Sequence, residues 1–142
     1  MFILDTNVVS ELRKAKAGKA NENVTAWANG VAAGALFLSV ISIMELERGV
    51  LLIERRDAAQ GAILRAWLER RVIPGFAGRI LPVDTAVARR CASLHVPDPR
   101  SERDAIIAAT ALVHEMTVVT RNVSDFGLTD VPLLNPWACA SG

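Results

Sequence analysis

Short apolar segments that alternate with helical stretches constrain the fold of this chain more than any other feature of its sequence. Five segments have the length and composition of buried or edge strands: residues 2–4, 35–38, 80–83, 117–120 and 132–134. Most of the connections between them contain a helix signal, and strands joined through helices form parallel sheets. The sequence therefore predicts an α/β fold, a three-layer sandwich with a mostly parallel central sheet.

Several helices have recognisable start signals. Ser42 and Glu45 have the spacing of a capping box, and Ser101 with Asp104 repeats this pattern. The segment 105–113 is apolar on all sides, so we expect that helix to be buried on most of its surface. The helices before and after residue 57 are expected to form a helical hairpin. Apart from the helix that starts at Ser42, helices are predicted over residues 10–13, 24–28, 57–71, 84–94 and 101–113.

Length and hydropathy bound the class of protein. The 142 residues fit one domain, residues 1–142, with the last few expected to form a flexible tail. Mean hydropathy is +0.30, but the longest apolar stretch, residues 31–44, is shorter than the ~20 apolar residues of a spanning helix. No basic segment precedes the first strand, so a secretory signal cannot be fitted. We expect a cytoplasmic protein whose apolar surplus fills its core and a surface covered by another subunit or partner.

Cysteines, histidines and net charge exclude some kinds of site. Cys91 and Cys139 are too few for a disulfide framework or a zinc site and are interpreted as reduced thiols. His95 and His114 are isolated near the ends of predicted helices, so capping or surface roles are expected. Net charge is +1, so overall charge does not indicate a nucleic-acid binder. Two basic clusters are either solvated helix faces or phosphate-binding patches: Lys14, Lys16 and Lys19, and Arg65, Arg70, Arg71 and Arg79.

Four acidic residues are predicted to meet at one edge of the sheet. Connections from strand to helix bring strand ends and helix starts to one side of a parallel sheet. The acids that follow a predicted strand or begin a predicted helix are therefore expected at that edge: Asp5, Glu45, Asp104 and Asp125. Each acid alone has an ordinary role in a turn or helix cap. Two carboxylates ~5 Å apart repel by roughly 3 kcal/mol at an effective dielectric of about 20, however, and a divalent cation removes that penalty. With no His or Cys nearby, the oxygen donors favour Mg²⁺ or Mn²⁺.

Four sequence blocks resemble the motifs of one enzyme family. They are residues 5–7 after the first apolar strand, 42–49, 103–111, and 119–122 with 125–126. In this order and spacing they resemble the PIN-domain ribonucleases, and more closely the VapC-type toxins of bacterial toxin–antitoxin pairs, including the FitB-like branch. The resemblance covers residues 2–137. One departure is Arg103, which stands where many relatives have an acid or a small residue before the third acid.

The resemblance implies a metal-dependent endoribonuclease that acts as the toxin of a type II toxin–antitoxin system. Such an enzyme hydrolyses RNA phosphodiesters with a water activated by Mg²⁺ or Mn²⁺, held mainly by Asp5 and Asp104. The implied catalytic and metal-binding acids are Asp5, Glu45, Asp104 and Asp125. The implied supporting polar groups are Asn7 and Thr120.

The resemblance also implies partners. A VapB-like antitoxin would place a helix and tail along a hydrophobic groove and send a basic side chain toward the acids. The apolar residues of segments 43–53 and 63–68 suit binding of a helix in a groove, although plain core packing is the more ordinary explanation for them. A homodimer is implied, with DNA contacted only indirectly through the antitoxin. Candidates for contact with the RNA backbone are Lys14, Lys16 and Arg121.

Two alternatives remain open from the residues themselves. A haloacid-dehalogenase-like phosphotransferase would use Asp5 as its nucleophile, but its second acid is replaced here by Asn7, and no lysine follows Lys19 to bind the phosphate. A non-catalytic partner-binding module on the same fold is the other alternative. The intact set of four acids argues against that module.

Overall fold

Five short strands form a single sheet in which all the pairs are parallel. The computed structural model describes residues 1–138. The predicted flexible tail and Cys139 lie outside the described residues. The strand order is β3-β2-β1-β4-β5, and each neighbouring pair runs in the same direction. The strands are β1 (Phe2–Leu4), β2 (Leu36–Ser39), β3 (Ile80–Leu81), β4 (Thr117–Val119) and β5 (Leu133–Leu134).

Helices connect these strands and cover both faces of the sheet. They are α1 (Thr6–Leu12), α2 (Glu22–Asn29), α3 (Val40–Arg56), α4 (Ala58–Trp67), α5 (Ile73–Gly75), α6 (Thr85–Leu94) and α7 (Glu102–Val113). A π-helical turn, Leu68–Val72, joins α4 to α5. None of the helices within residues 1–138 has the length and apolar character needed to cross a bilayer.

The core is divided by the sheet into two apolar layers. Successive side chains of a strand point to opposite faces, so Ile3 and Val118 pack with α6 and α7 while Leu4 and Val119 pack with α1, α3 and the turn after α4. Helix α7 buries most of its residues, as its apolar composition predicts. The three-layer α/β sandwich expected from the sequence is therefore confirmed.

Helices α3 and α4 form the predicted hairpin. Gly61 of α4 lies so close to α3 that a Cβ there would be 2.6 Å from Glu54 Cα. Arg65 of α4 bonds back to Glu54 at 3.0 Å and to Glu47 at 2.6 Å. The predicted boundaries differ mainly near the N-terminus, because the side chains of Asp5 and Asn21 cap α1 and α2 earlier than the sequence pattern suggests.

The predicted capping box at Ser42 is wrong. Helix α3 begins at Val40, and its N-cap is Ser39, whose Oγ accepts a hydrogen bond from the Ile41 amide at 3.1 Å. Ser42 is therefore buried within the helix, and Glu45 lies in the second turn, where no free amide remains for it to cap. Ser101 does occupy the N-cap position of α7, but its side chain makes no capping hydrogen bond there. Both acids that the capping-box pattern assigned to helix starts are thereby available for other contacts.

Candidate active site

Three of the four predicted acids meet at the carboxyl edge of the sheet. Asp5 follows β1 and is completely buried. Glu45 of α3 and Asp104 of α7 face it, with side chains only 15% and 12% exposed. Asp125 lies in the 3₁₀ turn Val123–Phe126 after β4 and is exposed. Parallel strands and the helices that follow them place these groups together, as the sequence predicts.

Both carboxylate oxygens of Asp5 are held by hydrogen bonds. Oδ1 accepts from the Thr6 amide at 2.8 Å, which also caps α1. Oδ2 accepts from Thr120 Oγ1 at 2.7 Å and from Asn7 Nδ2 at 3.3 Å. Thr120 Oγ1 in turn accepts from the Asn122 amide at 3.0 Å, so its single hydrogen is committed to Asp5. Asn7 and Thr120, predicted as supporting polar groups, therefore orient the buried acid.

Glu45 is held by a hydroxyl pair that sequence reasoning missed. Thr6 Oγ1 lies 2.7 Å from Glu45 Oε1 and 3.0 Å from Ser42 Oγ. A threonine hydroxyl has one hydrogen, and an ionised carboxylate can only accept. Thr6 therefore donates to Glu45, and Ser42 donates to Thr6. The signal in the sequence was the position of Thr6 beside Asp5, but its partners on α3 are visible only in the folded chain.

Arg103 lies at the centre of the three acids. Its Nη2 bonds to Asp5 Oδ1, its Nε to Glu45 Oε2 and its Nη1 to Asp104 Oδ1, so each nitrogen serves a different carboxylate. Burial alone would lower the pKa of this guanidinium. The three carboxylates outweigh that effect and raise its pKa, so the side chain carries its positive charge. The sequence identified this arginine only as a departure from the family pattern.

Asp104 is the acid whose ionisation is most perturbed. Burial raises its pKa above the usual range, and the nearby negative charges of Asp5 and Asp125 act in the same direction. Arg103 opposes this shift without cancelling it. The influence of Asp125 on Asp104 indicates that the fourth acid belongs to the same electrostatic cluster, although it is exposed and makes no ion pair among residues 1–138.

The predicted basic residues fall into different environments. Lys14 pairs with Glu11 at 3.3 Å, and Arg121 lies over the Trp137 ring at 5.3 Å. Lys16 lines a groove of about 460 Å³ together with Trp67. Arg65 is only 23% exposed and bonds to Glu47 and Glu54 of α3 and to Glu69 of the turn after α4, so it belongs neither to a solvated helix face nor to a phosphate-binding patch. The other groove residues are Leu12, Arg13, Ala66, Arg70 and Arg71.

A second cluster of ligand-type side chains lies away from the acids. Cys91, His95 and Glu102 have polar atoms within 4.8 Å of one another, so the expectation that His95 is isolated is wrong, whereas its expected place at a helix end is confirmed because it is the C-cap residue of α6. The i, i+4 spacing of Cys91 and His95 was visible in the sequence, but Glu102 comes from the next helix. His95 Nδ1 accepts from the Arg100 amide at 3.2 Å. The neutral ring then carries its proton on Nε2, which leaves no lone pair facing the cluster for a metal.

Comparison with known proteins identifies the family of this chain. The family model described as PIN domain matches residues 2–128. The chain belongs to the PIN domain family. Toxin FitB from Neisseria gonorrhoeae is 38% identical over 143 residues, which cover 96% of this chain and 99% of that protein. VapC ribonuclease Y4jK from Sinorhizobium fredii is 37% identical over 96% of this chain and 98% of its own length.

A solved structure agrees with the family assignment. The crystal structure of FitAcB from Neisseria gonorrhoeae superposes with a TM-score of 0.88 at 37% identity, covering 98% of this chain and 100% of that one. The PIN domain resemblance that the motifs predict, including its VapC and FitB relatives, is thus confirmed. The phosphotransferase alternative has no support from these matches.

Proposed function

We propose that this PIN domain protein is the toxin of a toxin–antitoxin pair and acts as a metal-dependent endoribonuclease. The observation that carries the proposal is that Asp5, Glu45 and Asp104 come from three separate elements and meet around one positively charged group, the guanidinium of Arg103. The names of the two relatives, a toxin and a ribonuclease, support the same activity. The non-catalytic alternative gives no reason for grouping buried carboxylates that repel one another.

The residues present fit a hard divalent cation. The converging donors are carboxylate oxygens, the ligands that Mg²⁺ and Mn²⁺ prefer, and a positively charged group already lies among them. Asp5 and Asp104 would be the main ligands, with Glu45 and Asp125 binding directly or through water. When bound, the metal supplies a Lewis acid that activates water and polarises a phosphate.

The remaining polar residues act by orienting these acids. Thr120 and Asn7 fix the carboxylate of Asp5, and Thr6 with Ser42 fixes that of Glu45. A donor that holds a carboxylate in one rotamer lowers the entropy lost when that carboxylate binds an ion or a substrate. Asp125 is exposed in the turn after β4, where it can reach a bound ion directly or through water.

Partners follow from the same proposal. Lys14, Lys16 and Arg121 remain the candidates for contact with the RNA backbone, in a protein that would act in the cytoplasm. A VapB-like antitoxin would bind an apolar groove, and α3 and α4 offer exposed apolar side chains for it. These are Met44, Leu51, Leu52 and Ile63. A homodimer is part of the proposal and is checked by light scattering.

Cleavage of mixed cellular RNA by the purified chain tests the activity. We expect discrete cuts with Mg²⁺ or Mn²⁺, no cuts in EDTA, and no cuts by Asp5→Asn or Asp104→Asn under any condition. Asp98→Asn is the matched control, because Asp98 is an exposed loop acid with no ion pair among residues 1–138, and it should cleave like the wild type. Full activity in either site variant would refute the proposed mechanism.

A further inference from the structure

We propose that Arg103 is a competitor of the divalent metal within the chain itself: its guanidinium occupies the cation position between three carboxylates, and a metal ion enters as the guanidinium leaves. This inference rests on the proposed function, because it concerns the same acids. It goes beyond that function by assigning a role to a residue that the family pattern does not include.

The bonding pattern is that of a cation position rather than an ordinary surface ion pair. An arginine paired for stability typically bonds one carboxylate with two nitrogens in a parallel fork. Arg103 instead gives one nitrogen to each of three acids, which lie far apart in sequence. The oxygens Asp5 Oδ1, Glu45 Oε2 and Asp104 Oδ1 therefore surround one planar group. A metal ion bound to the same oxygens and this guanidinium cannot be present together.

Charge decides which cation is favoured when both are available. Three carboxylates carry three formal negative charges, and one guanidinium neutralises only one of them. Asp125 adds a further negative charge nearby, as its effect on Asp104 indicates. A divalent ion neutralises twice as much of this charge at the same place. The arginine thus stabilises the metal-free cluster, while a metal ion at sufficient concentration displaces it.

The Arg103 side chain is partly exposed to solvent. Arg103 is 31% exposed, in contrast to the completely buried side chain of Asp5. Arg103 lies in the first turn of α7, whose following residues form the core, so its backbone is fixed while its side chain is partly exposed to solvent. Release of the guanidinium requires rotation of one side chain on a fixed helix and leaves the core packing unchanged.

Metal affinity, measured separately from cleavage, tests the inference. Isothermal titration of Mn²⁺ into the full chain compares the wild type with Arg103→Gln and with Arg89→Gln. Arg89 is the matched control, since it is an exposed helix arginine with no ion pair in the described part of the chain. We expect Arg103→Gln to bind Mn²⁺ at least 10-fold more tightly than the wild type and Arg89→Gln to bind like the wild type. In EDTA, Arg103→Gln should have the lowest Tm of the three.

A second measurement on the wild type removes dependence on the folding of a variant. The Arg103 Nε–H resonance, assigned through its own backbone, should move toward the position of a free arginine as Mg²⁺ is added, because the bond to Glu45 is lost. Equal Mn²⁺ affinities together with an unmoved Nε–H resonance would overturn this inference and leave the proposed function standing. Absence of metal binding in every form would overturn both.

Discussion

The hydrogen bond from Thr120 to Asp5 is the contact whose removal tests the site most directly. Thr120→Val keeps the shape of a completely buried side chain and deletes its hydroxyl. Asp5 Oδ2 then loses its 2.7 Å donor and retains only Asn7 at 3.3 Å. The Asn122 amide also loses its acceptor, but Asn122 is exposed and its amide can bond to water. The bond to Asp5 therefore dominates the change in stability.

The magnitude follows from that single bond. A hydrogen bond to a charged group contributes about 1.5–3 kcal/mol to the free energy of unfolding. The entropy of unfolding is about 2.1 cal/mol/K per residue, or about 300 cal/mol/K for 142 residues. Thr120→Val should therefore lower Tm by about 5–10 °C in EDTA. Under the proposed function Asp5 is a metal ligand, and loss of an orienting partner of such a ligand should reduce cleavage by about 10–100-fold.

Thermal unfolding followed by circular dichroism, with RNA cleavage measured in parallel, provides the assay. Thr120→Ser is the control, because it keeps the hydroxyl and loses one methyl group, worth about 1 kcal/mol. It should keep cleavage close to the wild-type rate. A Thr120→Val variant as stable and as active as the wild type would contradict the role of this hydrogen bond, and so would a Thr120→Ser variant that loses as much activity as Thr120→Val.

Two further predictions concern packing and thiol chemistry. Gly61→Ala should lower the free energy of unfolding by about 1–3 kcal/mol in urea titrations, because its Cβ would meet the Glu54 backbone at 2.6 Å; an unchanged urea midpoint would contradict the close helix approach. Burial and the negative charge of Glu102 both raise the pKa of the Cys91 thiol. In a Cys139→Ser background, alkylation of Cys91 in the folded protein should therefore be slow at pH 8, and its rate should rise at a higher pH than in protein unfolded in urea. Equal rates in folded and unfolded protein would argue against this environment.

The position of the acids could be predicted from the sequence because it depends on chain direction. Asp5 directly follows a strand, and a parallel sheet brings strand ends and the following helix starts to one edge. Glu45 reached that edge for a different reason from the one predicted. The capping-box pattern of Ser42 is a local signal. In the structure Ser39, at the end of β2, is the N-cap of α3 and accepts the hydrogen bond from the Ile41 amide, so Ser42 does not cap the helix. The predicted place was right although the predicted contact was wrong.

Arg103 shows what local sequence cannot specify. Its neighbour Asp104 is adjacent in the chain, but Asp5 is 98 residues away and Glu45 is 58 residues away. Whether a long charged side chain extends into solvent or bonds to such distant acids depends on how α3 and α7 pack against β1. The same limit applies to Cys91, whose contact with Glu102 requires the packing of two helices.

The sequence by itself determined the fold class, the parallel order of strand and helix and the family, and it predicted which acids lie at one edge of the sheet, because each of these follows from patterns within short segments or from the direction of the chain. Only the tertiary structure decided which hydroxyl holds which carboxylate, which serine caps α3, and that Arg103 lies among the acids. Such contacts join residues far apart in sequence. Their strength depends on burial and on competing charges, which exist only once the helices have packed on the sheet.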